Sequence, residues 1–94
     1  MPRYIIERKF DVTEDAMPEV GKKSKRIAVE EMPEIVWEHS HVVIGDAGLV
    51  TTFCIYAAPS EEAVREHAEA LGAHRIAAIY EVAGDVTPAD FPLD

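Results

Sequence analysis

Residues 35–44, IVWEHSHVVI, and residues 49–58, LVTTFCIYAA, are two apolar runs rich in β-branched side chains. The four residues between them, GDAG, have the composition of a turn. Two such runs joined by a short glycine-containing segment predict a β-hairpin. This hairpin lies in the middle of the chain, so the elements that flank it decide the fold.

One strand and one helix are predicted on each side of the hairpin. Pro18 is tolerated in a first helical turn, Ser60 is a good N-cap, and Gly72 provides a C-terminal stop. In chain order, the predicted elements are a strand over residues 3–10, a helix over 17–32, strands over 34–44 and 49–58, a helix over 60–71 and a strand over 75–82. This βαββαβ order predicts a ferredoxin-like α+β sandwich. Its four-stranded antiparallel sheet has strand order 4-1-3-2 and both helices on one face. The prediction is one domain over residues 1–94, with an irregular tail over 83–94.

The bulk composition limits the classes of function. The formal charge of -9 repels phosphate backbones and argues against nucleic-acid binding, whereas it attracts cations. A chain of 94 residues forms a modest core, so burial of one sheet face against a like subunit predicts a homodimer. The N-terminus lacks the pattern of a signal peptide, and Asp46 and Pro59 favour the hairpin over a membrane span. The expectation is a cytoplasmic protein without a membrane segment.

Two histidines in the first run are the main candidates for chemistry. Side chains two apart in a strand share a face, so His39 and His41 are expected to project side by side. Two neutral imidazoles can share nickel, copper or zinc. Protons compete for the same nitrogens, so metal affinity is expected to fall as the pH drops. A third ligand would come from Glu7 or Glu81 on another strand, from His67 on the second helix, or from a partner subunit. The alternative is a polar pair on a half-exposed sheet.

A second interpretation is a cofactor-independent small-molecule enzyme, because dimers of this fold often enclose a cleft between their sheets. Trp37, Tyr56 and Glu7 would then line a pocket on the open sheet face, together with His39 and His41. The sequence assigns no catalytic residue to it. A histidine that points at a sheet, as His67 is expected to do, is more often hydrogen-bonded in the core than part of a site.

The carboxylates on the predicted strands could form ion pairs instead of acting in acid–base catalysis. Glu7, Glu38 and Glu81 carry them. At least one is expected to pair with Arg8 or Arg75.

Four segments occur in a familiar order: YIIER at 4–8, WEHS at 37–40, CIYAAP at 54–59 and EEAVREHA at 61–68. In this combination the chain resembles a small bacterial ferredoxin-like family of formerly unknown function, which includes an actinobacterial nickel-binding protein. The resemblance spans residues 3–82 and implies a homodimer that binds divalent nickel, without an established enzymatic activity. His39, His67, Cys54 and Tyr56 match the family pattern.

The chain also departs from this family. His41 stands where members tend to have tyrosine, the hairpin is several residues longer, and Gly-x-Pro after the second helix is replaced by Gly72-Ala73-His74. Two functions from different classes therefore stay open. One is a nickel-type metal-binding protein that sequesters or senses the ion, and the other is the pocket enzyme.

Overall fold

The computed structural model describes residues 1–93. Its main elements are β1 (Arg3–Thr13), α1 (Met17–Arg26), β2 (Val36–Ile44), β3 (Leu49–Ala57), α2 (Glu61–Leu71) and β4 (His74–Glu81). The strands form one antiparallel sheet in the order β2-β3-β1-β4, which is the predicted order read from the other edge. The predicted ferredoxin-like α+β fold is confirmed. In the described part of the chain, no helix has the length and apolar character that crossing a membrane requires.

The sheet has two unlike faces, because side chains alternate along each strand. One face is covered by the helices and is called the helix face. Its buried residues are Tyr4, Ile6, Arg8 and Phe10 of β1 and Val50, Thr52, Cys54 and Tyr56 of β3. The other is called the open face. Its residues on the central strands are Ile5, Glu7 and Lys9 of β1 and Thr51, Phe53 and Ile55 of β3.

The second helix begins and ends as its sequence predicts. The Ser60 side chain accepts a hydrogen bond from the Ala63 N–H at 3.1 Å, which satisfies one of the free donors of the first turn. Gly72 follows the helix with a φ of 70°, a conformation that costs glycine little. The inward-facing residues are Ala63, Val64, His67, Ala68 and Leu71.

The structure departs most from the predicted elements in the first strand and the first helix. The first strand continues past Phe10 to Thr13, since pairing with β3 resumes at Thr13 and Leu49 after a register shift beyond Lys9. The first helix is not uniform: Ile27–Glu31 widens into π-helical turns, in which the Met32 N–H bonds the Ile27 carbonyl at 2.8 Å.

The predicted tail is irregular except for a short 3-10 turn at Pro88–Asp90. Asp94, its last residue, lies outside the described residues.

Candidate functional site

The edge strand β2 contains a β-bulge at Glu38. Trp37 lies opposite Tyr56 of β3. His39 lies opposite the very next residue of β3, Ile55, so Glu38 has no partner of its own. The extra residue reverses the alternation, and Trp37 faces the helices while His39 lies on the open face.

The histidine pair, His39 and His41, lies side by side on the open face. Both residues are exposed, and they stand opposite Ile55 and Phe53 of β3. Their ring centroids are 5.3 Å apart, with the ring planes at 81°. Two imidazoles on one ion, with metal–nitrogen bonds of about 2.1 Å, hold their rings about 4.5 to 5.5 Å apart. The pair therefore has a spacing that suits a shared transition-metal ion.

Residues 1–93 of one chain do not bring a third ligand to the pair. Within residues 1–93, no group of three or more His, Cys, Asp or Glu side chains is placed to hold a metal. Glu7 is separated from His41 by Phe53, so it lies about two strand spacings, roughly 9.6 Å, away across the sheet. Glu81 is on β4, at the opposite edge, and His67 is buried under the helix face.

None of the three strand carboxylates pairs with Arg8 or Arg75 in the described part of the chain, so that prediction is wrong. The Arg3 guanidinium bonds Glu38 at 2.8 Å and Asp85 at 2.6 Å. This hydrogen bond from Arg3 lowers the pKa of the Glu38 carboxyl. An ionised group thus stands next to the histidine pair.

Glu7 pairs with Lys9 at 3.4 Å on its own face of β1, because neighbouring residues of a strand point to opposite faces. Arg8 points to the helix face and is 1% exposed. It has no carboxylate partner in the part of the chain that is described.

The predicted pocket of Trp37, Tyr56 and Glu7 with the histidine pair does not form. Trp37 and Tyr56 stack on the helix face, with ring centroids 6.3 Å apart, whereas Glu7 and the pair are on the open face. The bulge at Glu38 moves Trp37 away from His39, and regular alternation along β1 and β3 places Tyr56 and Glu7 on opposite faces. A cavity of about 230 Å³ instead lies under the helices, and Arg8 lines it with Trp37 and Tyr56.

His67 is a core residue. It is 0% exposed, its Nε2–H donates to the Ser24 carbonyl oxygen at 3.3 Å, and its ring packs against Tyr56. Burial lowers the pKa of His67, and the nearby positive charge of Arg8 lowers it further. The pKa of His74 is also lowered, mainly by burial. Both residues are therefore neutral in the folded protein near neutral pH.

The lowered pKa values of His67 and His74 predict that the folded protein loses stability in mild acid. An unfolded chain takes up their protons below about pH 6.5, whereas the folded chain resists, so the free energy of unfolding falls as the pH drops. Urea unfolding at pH 7.5 and pH 5.0 measures the change. His67→Gln keeps a donor for the Ser24 carbonyl but does not titrate, so its stability should fall less. An equal fall in both proteins would contradict the assignment.

The fold and the paired histidines define a ferredoxin-like α+β protein with a candidate metal-ligand pair on its uncovered sheet face. The chain belongs to the family described as nickel responsive protein SCO4226-like, whose sequence model matches residues 4–82. This bears out the resemblance seen in the sequence.

A solved structure supports the same fold. The crystal structure of SCO4226 from Streptomyces coelicolor A3(2) is similar, with a TM-score of 0.70 and 21% sequence identity. The match covers 89% of this chain and 99% of that one. No curated protein matches the chain.

Proposed function

We propose that this protein binds a divalent transition-metal ion of the nickel type through His39 and His41 and sequesters or senses it without turnover. The observation that carries the proposal is the 5.3 Å spacing of two exposed imidazoles on one sheet face. The description of its family as nickel responsive gives independent support. Imidazole nitrogen is a suitable ligand for nickel.

A second copy of the chain completes the site in this proposal. Two imidazoles are too few for a tetragonal or tetrahedral ion, and residues 1–93 offer no third ligand nearby. A two-fold axis beside the pair would bring together four imidazoles, since such an interface uses the same patch on both subunits.

The open face has the apolar character that such an interface needs. Ile5 is 36% exposed, Val43 44% and Tyr80 66%, and Phe53 and Ile55 are half-buried between them. Large apolar side chains grouped on one uncovered face indicate an interaction surface. Burial of these side chains against a second copy of the chain would also add buried apolar area to a small core.

Calorimetric titration with nickel, on protein purified without a histidine tag, tests the proposal. We expect one ion per two chains, a light-scattering mass of twice the chain, and weaker binding in acid, because protons compete for imidazole. Absence of binding above background for nickel, copper and zinc would refute a metal function.

Ile5→Glu is expected to separate the subunits and weaken nickel binding without removing or adding a ligand. Ile5 lies on the open face and is separated from His39 by Ile55, so a carboxylate there would be buried unpaired in the dimer and would stay away from the pair. The control is Val29→Glu, which makes the same kind of change at a 63% exposed site on the helix layer. Light scattering should show a monomer, and titration a lower nickel affinity, for Ile5→Glu and not for Val29→Glu. Tight nickel binding by monomeric Ile5→Glu would exclude the shared site.

A further inference from the structure

Arg8 is a buried cation with no opposite charge. It lies on the helix face of β1, between the core residues Ile6 and Phe10, and is 1% exposed. Within residues 1–93, no carboxylate lies within ion-pair distance of it. A guanidinium cannot lose its charge in a protein, and buried charges are normally paired.

Arg8 has two contacts, and neither of them supplies a negative charge. The Nδ1–H of His74 donates to the Gly72 carbonyl at 2.7 Å, so its Nε2 carries the lone pair. The Arg8 Nη1 donates to that Nε2 at 3.2 Å. The guanidinium carbon lies 5.0 Å from the centre of the Tyr56 ring, in a cation–π contact. Both partners are formally neutral.

Two nitrogen donors of Arg8 have no hydrogen-bond partner, and they lie next to each other on the guanidinium group. Nε and Nη2 are buried without a hydrogen-bond partner. Their N–H groups lie parallel on one edge of the guanidinium plane, which is the fork that bonds both oxygens of a carboxylate. His74 bonds the other terminal nitrogen, Nη1, so this edge of the guanidinium is left without a partner.

Arg8 lines the cavity of about 230 Å³ on the helix face. The cavity is roughly one and a half times the size of the ~150 Å³ cavity that admits benzene in an engineered protein. Its walls are mainly apolar, with a few hydroxyls, and they include Phe10, Leu71, Trp37, Ser24 and Thr52.

The cavity has an access route. Val42 is 49% exposed, and Met17 and Val20 are partly exposed. These lining residues belong to β2 and α1, so the cavity opens to solvent between those two elements.

We propose that this cavity binds a small monocarboxylic acid with an apolar body. The carboxylate bonds the Nε–H and Nη2–H of Arg8, and the body packs against Phe10, Leu71 and Trp37. A carboxylate fits better than a phosphate, because the site offers one positive charge and one two-donor fork. This site is on the opposite side of the sheet from the histidine pair, so it is independent of the metal proposal.

Benzoate and 3-methylbutanoate are suitable probes, with benzamide as the neutral match to benzoate. Trp37, the only tryptophan, lines the cavity, so its fluorescence reports binding directly. We expect at least one acid to change this fluorescence and raise the melting temperature, because a ligand of the native state stabilises it. Benzamide should bind at least about tenfold more weakly, since charge-assisted hydrogen bonds are lost. Equal binding of benzoate and benzamide, or no response to either acid at millimolar concentration, would overturn the proposal.

Arg8→Met separates a binding role from a structural role. Methionine removes the unpaired charge and keeps an apolar stem, so the melting temperature should stay the same or rise, while the preference for the acid disappears. Arg8→Lys keeps the charge without the fork and should bind benzoate at least about tenfold more weakly. It serves as the test if the methionine variant does not fold. Unchanged benzoate affinity in either variant would show that Arg8 does not hold the acid.

Discussion

Replacing His39 and His41 together by alanine is expected to abolish nickel binding and leave the fold intact. The two imidazoles lie side by side on the open face, and both residues are exposed. Truncation of an exposed residue usually changes the free energy of unfolding by less than about 0.5 kcal/mol. Calorimetric titration measures the binding, and urea unfolding of the metal-free protein checks the fold.

The matched control is His74→Ala, which removes a histidine at the start of β4 on the other side of the sheet. It should bind nickel as the parent does. If the double variant binds nickel as tightly as the parent, the ion is held elsewhere. His74 also bonds Arg8, so urea unfolding checks that the control is folded; loss of binding in the folded control would indicate weak binding to histidines in general.

Ile6→Ala is expected to destabilise the protein by about 3 to 4 kcal/mol, the cost of a cavity in a closely packed core. Ile6 is 0% exposed in a central strand, where it pairs with Cys54 on one side and Ile79 on the other. A loss of this size is a large part of the total stability of an ordinary domain, which is about 5 to 15 kcal/mol. Urea unfolding in dilute solution measures it.

Ile5→Ala is the matched control, because Ile5 is the adjacent isoleucine on the opposite face of the same strand. It is 36% exposed, so its truncation should cost less than about 1 kcal/mol in the monomer. If the open face is a dimer interface, this cost should grow with protein concentration, whereas that of Ile6→Ala should not. Equal costs for both variants in dilute solution would contradict the assignment of the two faces.

Much of the fold could be predicted because local signals agree with it. Two β-branched runs around GDAG give the hairpin, and Ser60 and Gly72 mark the ends of α2. The end of β1 was missed because Asp11 has a low strand propensity, which pairing with β3 overrides.

The candidate site was only partly predictable. Alternation correctly places His39 and His41 together, but it also places Trp37 beside them, and a bulge leaves no clear mark in a single sequence. The sequence predicts that at least one strand carboxylate pairs with Arg8 or Arg75, and none does in the described part of the chain. The signal against this was present: alternation along β1 puts Arg8 on the apolar face with Ile6 and Phe10, away from Glu7.

The place of β2 at the edge of the sheet has a consequence for solubility. An edge strand presents unpaired backbone N–H and C=O groups that can add to a sheet of another molecule. Residues 39–44, HSHVVI, contain no proline and no Asp, Glu, Lys or Arg, which is the composition of aggregation-prone segments. The strand proposed to hold a metal is thus also a segment that is open to intermolecular sheet growth.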